Sequence, residues 1–253
     1  MYKELIMEIK KKKTLKNIDD DFVIYHLDKY FRLNSKLRTM LDKGKVRKKV
    51  VKEIRAILHR TYGMFITKDY FKKHKIKDVD KLLKAHKSTK ERLPIYPDLY
   101  QILFNITGKP KSILDLGCGF NPLSYKYMNL RKVKYYVYDI SSEDLDFIKG
   151  HLSFLKTKSV NLLSEKTLPK TDVCFMFKLL NHIDLSKHHK ESEKLLRKVK
   201  SKFVVISFPL VTISGKKMNY KQNNWLKFMC ERNDWSLVKR FSLGNEEFFV
   251  VRK

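Results

Sequence analysis

"ILDLGCGFNP", Ile113 to Pro122, decides how the rest of the chain is read. An apolar run carrying Asp115 leads into Gly117 and Gly119, one residue apart, and a new segment opens at Asn121. Glycine in a strand-to-helix turn leaves the backbone bare, so a ligand can approach it at the carboxyl end of a parallel sheet. A tight turn needs glycine in any case, so the pair gains weight only from a second feature. Asp139 supplies it. It closes the next predicted strand 24 positions after Asp115, near the offset of about 20 residues at which a carboxylate meets ribose hydroxyls in nucleotide-binding folds. The competing reading of Asp139 is an acid favouring the start of the helix in "SSEDLDF".

Outward from this turn, strands alternate with helices, as in a parallel sheet covered on both faces. Strands are predicted at Ser112 to Leu116, Lys134 to Ile140, Ser159 to Leu163, Asp172 to Leu179 and Lys202 to Phe208. Helices are predicted near Asn121 to Leu130, Ser142 to Leu155, Leu185 to Val199 and Tyr220 to Arg232. The end, "WSLVKRFSLGNEEFFVVRK", reads as two β-prone runs about "LGNEE", a terminal antiparallel hairpin added to the sheet. The expected fold class is therefore α/β. Five parallel strands with a closing hairpin fit a class I, Rossmann-like methyltransferase sheet better than a dehydrogenase, which continues with a sixth parallel strand. The third glycine of GxGxxG is also absent, since "GCGFNP" continues with Asn121 and Pro122. A pyrophosphate needs that helix N-terminus, whereas S-adenosyl-L-methionine has a ribose and an adenine but no phosphate, so it is the expected cofactor.

The 253 residues carry 56 Lys and Arg against 27 Asp and Glu, a net charge of +29. A thermophile surface would balance the signs, so this excess points to a polyanion, with nucleic acid preferred over a membrane. No segment is apolar enough to span a bilayer, and the opening "MYKELIMEIKKKKTLK" lacks the apolar stretch of a signal peptide, so a cytoplasmic location is expected. Residues 1 to 90 hold 27 Lys and Arg against 11 Asp and Glu and no proline. In "KVRKKVVKEIRAILHRTYG", Val46, Val50, Ile54, Ile57 and Leu58 form one stripe, with Lys48, Lys49, Lys52 and Arg55 off it and Gly63 as the stop. In "DDDFVIYHLDKYFRLNSKLRTML" three aspartates mark a helix start. We therefore expect two domains: residues 1–90, a basic helical RNA-binding domain, and residues 91–253, the methyltransferase domain.

Cys118, Cys174 and Cys230 are widely spaced, without metal-site pairs, and are read as reduced, buried thiols, with no metal expected. None lies beside a proline, which disfavours a thiolate nucleophile of the cytosine-C5 kind. His188 and His189 open a lysine-rich helix and are read as facing solvent; His182 follows the fourth strand and suits either packing or proton transfer.

Six segments, "HKSTKERLPIY", "ILDLGCGFNPL", "VYDI", "TDVCFMFKLL", "VISFPLVTISGKKMNY" and "FSLGNEEFFVV", together resemble the 16S rRNA guanine-N7 methyltransferases that confer aminoglycoside resistance, over about residues 86 to 252. The resemblance implies that Arg92 holds the methionine carboxylate of the cofactor, for which its planar fork is suited. It also implies that Gly117 and Gly119 approach the amino-acid part, that Asp115 serves its ammonium and that Asp139 serves the ribose. Asn161 stands where the family has an acid near the adenine, and its amide can still bond the adenine edge. Lys178 matches a lysine beside the target base, and Phe208 and Pro209 match the lip of that pocket. Asn181 and His182 depart from the family, which has a proline just after "KLL". The partner implied is 16S rRNA in the small ribosomal subunit, met near its decoding site by a monomeric enzyme.

Guanine N7 has an exposed lone pair and no proton to lose, so the absence of an evident general base agrees with that target. A cytosine exocyclic amine (N4) stays open as an alternative, because Asn181 could orient an amine. A non-catalytic ribosome-assembly factor is a second alternative, opposed by the intact set of Arg92, Gly117, Gly119 and Asp139. The Lys-rich and Ile-rich composition leaves housekeeping modification as open as drug resistance.

Overall fold

The computed structural model describes residues 2–184, 189–212, 218 and 224–253. His188, the predicted starts of two helices at Leu185 and Tyr220, and residues 213–217 and 219–220 of "VISFPLVTISGKKMNY" lie outside the described residues. The chain opens with α1 (Tyr2–Lys10), α2 (Asp20–Leu33), α3 (Ser35–Thr39) and α4 (Gly44–Thr61), followed by α5 (Val79–Lys84), α6 (Lys87–Arg92) and α7 (Tyr96–Thr107). The sheet elements then alternate: β1 (Ser112–Leu116), β2 (Lys134–Asp139), α8 (Ser142–His151), β3 (Lys156–Ser159), β4 (Val173–Phe177), α9 (Leu180–Ile183), α10 (Lys190–Lys198), β5 (Phe203–Pro209), α11 (Asn224–Arg232), β6 (Ser236–Leu243) and β7 (Glu246–Arg252).

The strands form one seven-stranded sheet of order β3-β2-β1-β4-β5-β7-β6. The first five run parallel, and β7 pairs antiparallel with both β5 and β6. Alternate side chains of each central strand feed opposite cores, as burial on both faces requires. Ile113, Val173, Phe175 and Val205 meet α5, α7 and α8 on one face; Leu114, Leu116, Cys174, Met176 and Ile206 meet α9, α10 and α11 on the other. The connections wind one way from β1 to β2 and β3 and the other way from β4 to β5, so the crevice between the ends of β1 and β4 is the switch point where such sheets bind ligands.

Several sequence expectations are corrected. The third strand is Lys156–Ser159 rather than 159 to 163, because the chain leaves the sheet at Asn161, whose carboxamide oxygen accepts from Leu163 N at 3.1 Å, and Leu162 turns into the core. The apolar run was not the strand: a short lysine-bearing strand occupies the sheet edge, where charge is tolerated. The helix expected near Asn121 to Leu130 is a 3₁₀ segment, Asn121–Tyr127. The long helix α7 falls where the sequence reading placed no element. Gly63 does not cap α4 in a left-handed conformation; a Cβ there would stand 2.7 Å from His59 Nδ1. His189 stacks on Trp225 at 4.0 Å instead of facing solvent freely.

The N-terminal helices share a core running from Leu5 to Tyr62. On α4 the stripe of Val50, Ile54 and Leu58 is buried while Lys48, Lys49 and Lys52 are exposed. Arg55 is not among the outward cations, because it donates to the carbonyls of Glu8 and Ile9 at the end of α1. Two acids fasten this bundle to the sheet. The Asp19 side chain does not cap its own helix; its carboxylate accepts from Ser142 N (3.1 Å), Ser142 Oγ (2.7 Å) and Ser159 Oγ, and its N–H donates to Ile140 O at 3.0 Å. Asp144 in the first turn of α8 accepts from Tyr62 (2.5 Å), Tyr70 (2.6 Å) and Lys73, whose side chain is 2% exposed. Asp144→Ala would remove the buried carboxylate from Lys73, leaving it the half-exposed Glu143 at 3.5 Å, and would leave Tyr62 and Tyr70 only each other, Asn17 and Lys73, with an expected loss of about 3 kcal/mol. Urea unfolding measures this, and Lys73→Met combined with Asp144→Asn is expected to cost less than the two single variants summed.

Candidate active site

The turn after β1 is shaped by its glycines. Gly117 and Gly119 have φ of +61° and +48°, a region costly for residues with a Cβ. A Cβ on Gly117 would lie 2.6 Å from Leu179 Cδ1, and one on Gly119 would lie 2.8 Å from His86 Cε1. His86, from the "HKSTKER" segment, is a wall of the site: its ring stacks on Phe65 and Phe120 and its Nδ1 lies 3.0 Å from Ser88 Oγ. Burial pulls its pKa down to about 4, so the ring is neutral.

Asp139 ends β2 facing this turn. Its carboxylate accepts from Gly119 N at 2.8 Å and from Ile140 N at 2.7 Å, while the N-terminus of α8 is capped by Ser141. The alternative role of Asp139 as a helix-start acid is thus filled by its neighbour. Burial pushes its pKa up to about 6 against the pull of those two amides. Asp115 lies deeper, accepting from Asn121 Nδ2 (2.8 Å) and Tyr135 OH (3.0 Å), and burial raises it to about 7. Asn121 passes the contact onward, its Oδ1 accepting from Arg92 (2.8 Å) and Tyr96 (3.0 Å).

Arg92 is 2% exposed and is not the surface partner of Glu91. Its Nε donates to Glu246 Oε1 at 2.9 Å, and its guanidinium lies 4.9 Å from the centre of the Phe177 ring. Lys178, just past β4, joins the same carboxylate: its Nζ lies 3.2 Å from Glu246 and 2.5 Å from Glu91. Ser207 Oγ donates to the second oxygen of Glu246 at 2.7 Å. Burial alone would raise Glu246, but Arg92 and Lys178 overcome it and hold its carboxyl below the ordinary value. Lys178 has φ of +54°, a strained conformation for a side-chain-bearing residue, held by its N–H donating to Ser207 of β5.

Two cavities open over this floor. The first, about 970 Å³ including solvent at its mouth, is lined by Gly117, Gly119, Asp139, Asn161, Lys178 and residues of the N-terminal helices. The second, about 1280 Å³ counted the same way, is lined by Met64, Glu91, Lys178, Asn181, Pro209 and Met218 among others. Phe65, Ser88, Lys178 and His182 border both. The predicted residues therefore divide. Gly117, Gly119, Asp139 and Asn161 line the first cavity, Asn181 the second, and Lys178 both. Arg92 and Asp115 are packed beneath. Phe208 lines neither: it is 2% exposed in the core beside Trp225 and Phe249, on the opposite face of β5 from Ser207, and Pro209 takes the lip. All three cysteines are buried, and burial raises each thiol. Among the described residues, no group of three His, Cys, Asp or Glu could hold a metal, and no helix is long and apolar enough to cross a membrane.

Sequence reasoning missed Asn121, His86, Asp144 and Glu246. Glu246 left a signal, as an acid opening the apolar run "EEFFVV", for which an inward register demands a buried cation.

Sheet order, glycine turn and acid-terminated second strand define a class I methyltransferase. The chain belongs to the family described as "Ribosomal RNA methyltransferase (FmrO)", whose model matches residues 72–251. It is 31% identical over 240 residues, 81% of this chain and 85% of the relative, to the 16S rRNA (guanine(1405)-N(7))-methyltransferase of Proteus mirabilis. It is 29% identical over 177 residues to the protein of the same description from Micromonospora echinospora, covering 68% of this chain and 64% of that one. Among solved structures, the 16S rRNA methylase RmtF in complex with S-adenosyl-L-homocysteine superposes with a TM-score of 0.76 at 20% identity over 99% of this chain and 97% of that one. The 16S rRNA methylase ArmA gives 0.59 at 27% identity over 73% of this chain and 94% of that one.

Gly119→Ala combines a left-handed backbone with a clash against a ring held between two aromatics, and is expected to cost about 1–3 kcal/mol. Thermal unfolding measures it; pairing it with His86→Ala should recover the steric part and leave the conformational part.

Proposed function

We propose that this protein is an S-adenosyl-L-methionine-dependent enzyme that methylates N7 of a guanine in 16S rRNA near the decoding site. The observation that carries this reading is the pair of adjoining cavities with Lys178 between them. One has the turn and acid suited to a nucleoside; the other is an apolar pocket rimmed by a few polar groups, open enough for a base. The names of the relatives from Proteus mirabilis and Micromonospora echinospora support the base and atom.

The residues of the first cavity fit the cofactor. Two glycines leave room along the backbone, and Asp139 keeps spare lone pairs for ribose hydroxyls beyond its two amides. The buried Nδ2 of Asn161 has no partner among the described residues, a donor suited to a ring nitrogen of adenine. When bound, S-adenosyl-L-methionine supplies a methyl group activated by a sulfonium. Arg92 and Asp115 then hold the floor beneath the amino-acid part through Asn121. Lys178 is pinned by Glu91 and Glu246, so it positions the base at the junction. Guanine N7 loses no proton on methylation and asks for none.

Residues 1–90 act, in this reading, as the RNA-gripping part, with Lys48, Lys49 and Lys52 presented along α4. The enzyme works as a monomer on ribosomal particles of the cytoplasm.

Incubation of small-subunit particles with labelled cofactor, followed by mass spectrometry of 16S rRNA nucleosides, is expected to show 7-methylguanosine. A methylated cytosine would replace the base assignment, and no methylation would sink the enzymatic reading. Methyl transfer should fall steeply between about 50 and 200 mM salt, since each phosphate contact releases counterions. Asp139→Ala should abolish measurable cofactor binding. Because the carboxyl of Asp139 is raised to about 6, its ionised form is lost below that pH. S-adenosyl-L-homocysteine affinity should therefore rise with pH through about 6, and Asp139→Asn should remove that step, leaving only the later one from Asp115, which is raised to about 7; calorimetry at pH 5, 6, 7 and 8 reads both.

A further inference from the structure

The first cavity has a wall that the methyltransferase sheet does not supply. Phe22, His26 and Lys29 line it from α2, and Thr61 and Tyr62 line it from the end of α4. The spacing of 22, 26 and 29 puts these three side chains on one stripe of α2. The stripe is aimed by Asp19, at the start of the same helix, which is bonded to Ser142 and Ser159 beside the ends of β2 and β3. His26 is 5% exposed and is held edge-on by Phe22, 4.6 Å between ring centres, and by Tyr25 at 5.2 Å. Its Nε2 is buried and has no hydrogen-bond partner among the described residues. The same is true of Nδ2 of Asn161, which lines the same cavity. Buried polar atoms are rarely left unpaired without a reason. Two of them bordering one cavity, from separate parts of the chain, ask for one ligand with complementary groups.

We infer that His26 is an adenine-recognition residue, supplied by the N-terminal helices, that pairs with Asn161 to read the amino edge of the cofactor. This rests on the reading of the first cavity as the cofactor site. On that edge adenine presents the 6-amino donor next to the N1 acceptor. Asn161 Nδ2 donates to N1, and His26 Nε2, unprotonated, accepts from the 6-amino group. Burial favours the neutral ring this requires, lowering the pKa of His26 to about 4. An inosine base reverses both partners, with a 6-oxo acceptor and an N1–H donor: it would set Asn161 Nδ2 against a second donor and oblige the His26 ring to change tautomer. The bundle that grips RNA therefore also completes the cofactor pocket.

The test is calorimetry at pH 7.5 with S-adenosyl-L-homocysteine and its deaminated analogue S-inosyl-L-homocysteine, on the full chain and on His26→Phe and His26→Gln, with each variant's melting temperature recorded. The full chain is expected to prefer the adenine ligand by tenfold or more. His26→Phe, which keeps the ring volume, should weaken the adenine ligand about tenfold and leave the analogue nearly unchanged, the size expected for one buried hydrogen bond. His26→Gln, which keeps an acceptor, should restore most of the preference. Equal affinity of the full chain and His26→Phe for S-adenosyl-L-homocysteine, or equal loss of both ligands, overturns the inference and leaves the cofactor site standing. Failure of the full chain to bind either ligand removes the cofactor site and this inference with it.

Discussion

The buried carboxylate of Glu246 is the constraint on which the site depends. It lies at the start of β7, is 1% exposed, and is shared by Arg92 from α6 and Lys178 from the end of β4, with Ser207 of β5 on its second oxygen. An unpaired buried charge is costly enough to be avoided, so each of these ions obliges the others to stay. The cluster joins segments 154 residues apart in sequence. It accounts for the place of β7, the return strand of the hairpin, antiparallel between β5 and β6, where it presents Glu246 beside Ser207 and the two cations. It also explains how Lys178 is held at φ of +54°, since both the head and the backbone N–H of this residue are tied to β5 and β7.

A second set of polar contacts sets the height of the roof over that floor. Asp19 and Asp144 both fasten the N-terminal helices at the start of α8, Asp19 by accepting from Ser142 and Ser159, Asp144 by accepting from two tyrosines and Lys73. Neither contact is apolar, and both are directional, so the bundle is fixed in orientation as well as in place. The hydrophobic cores on the two sides are distinct, with Ile66 packed against both and Ile140 against the N-terminal one, and the polar contacts lie along their junction. The first cavity lies along it.

Much of the sheet was legible because its signals are local. Ser112–Leu116 reads as a strand from its apolar run and glycine stop, and Asp139 from its place at the end of the next. The hairpin was legible from "LGNEE" and its flanking runs. The third strand, expected over 159–163, lies at 156–159, because Val160, Leu162 and Leu163 pack against a helix layer and the edge strand is made of Lys, Thr and Ser. Among the site residues, those fixed by the turn or a strand end, Gly117, Gly119, Asp139, Asn161 and Lys178, fall on the cavity walls. Phe208 misses because strand alternation sends it to the far face, and Arg92 and Asp115 lie one layer down. His26, Asn121 and Glu246 depend on contacts across the fold, for which a single sequence holds no register.

The charge of the chain resolves into two scales. A net +29 spread over lysines acts on RNA at a distance, but in physiological salt its field fades within about 8–10 Å. Inside, the polar groups follow a different rule: Asp115, Asp139 and Asp144 cluster around the glycine turn, each within a shell of donors. A cofactor carrying an ammonium and a sulfonium would be repelled by a uniformly basic pocket. Local acids at contact distance outweigh remote lysines, because Coulomb energy falls with distance and is strengthened where water is excluded. A strongly cationic protein can thus hold a cationic nucleoside and a polyanion at once, provided the cation at their junction is well compensated, as Lys178 is between Glu91 and Glu246.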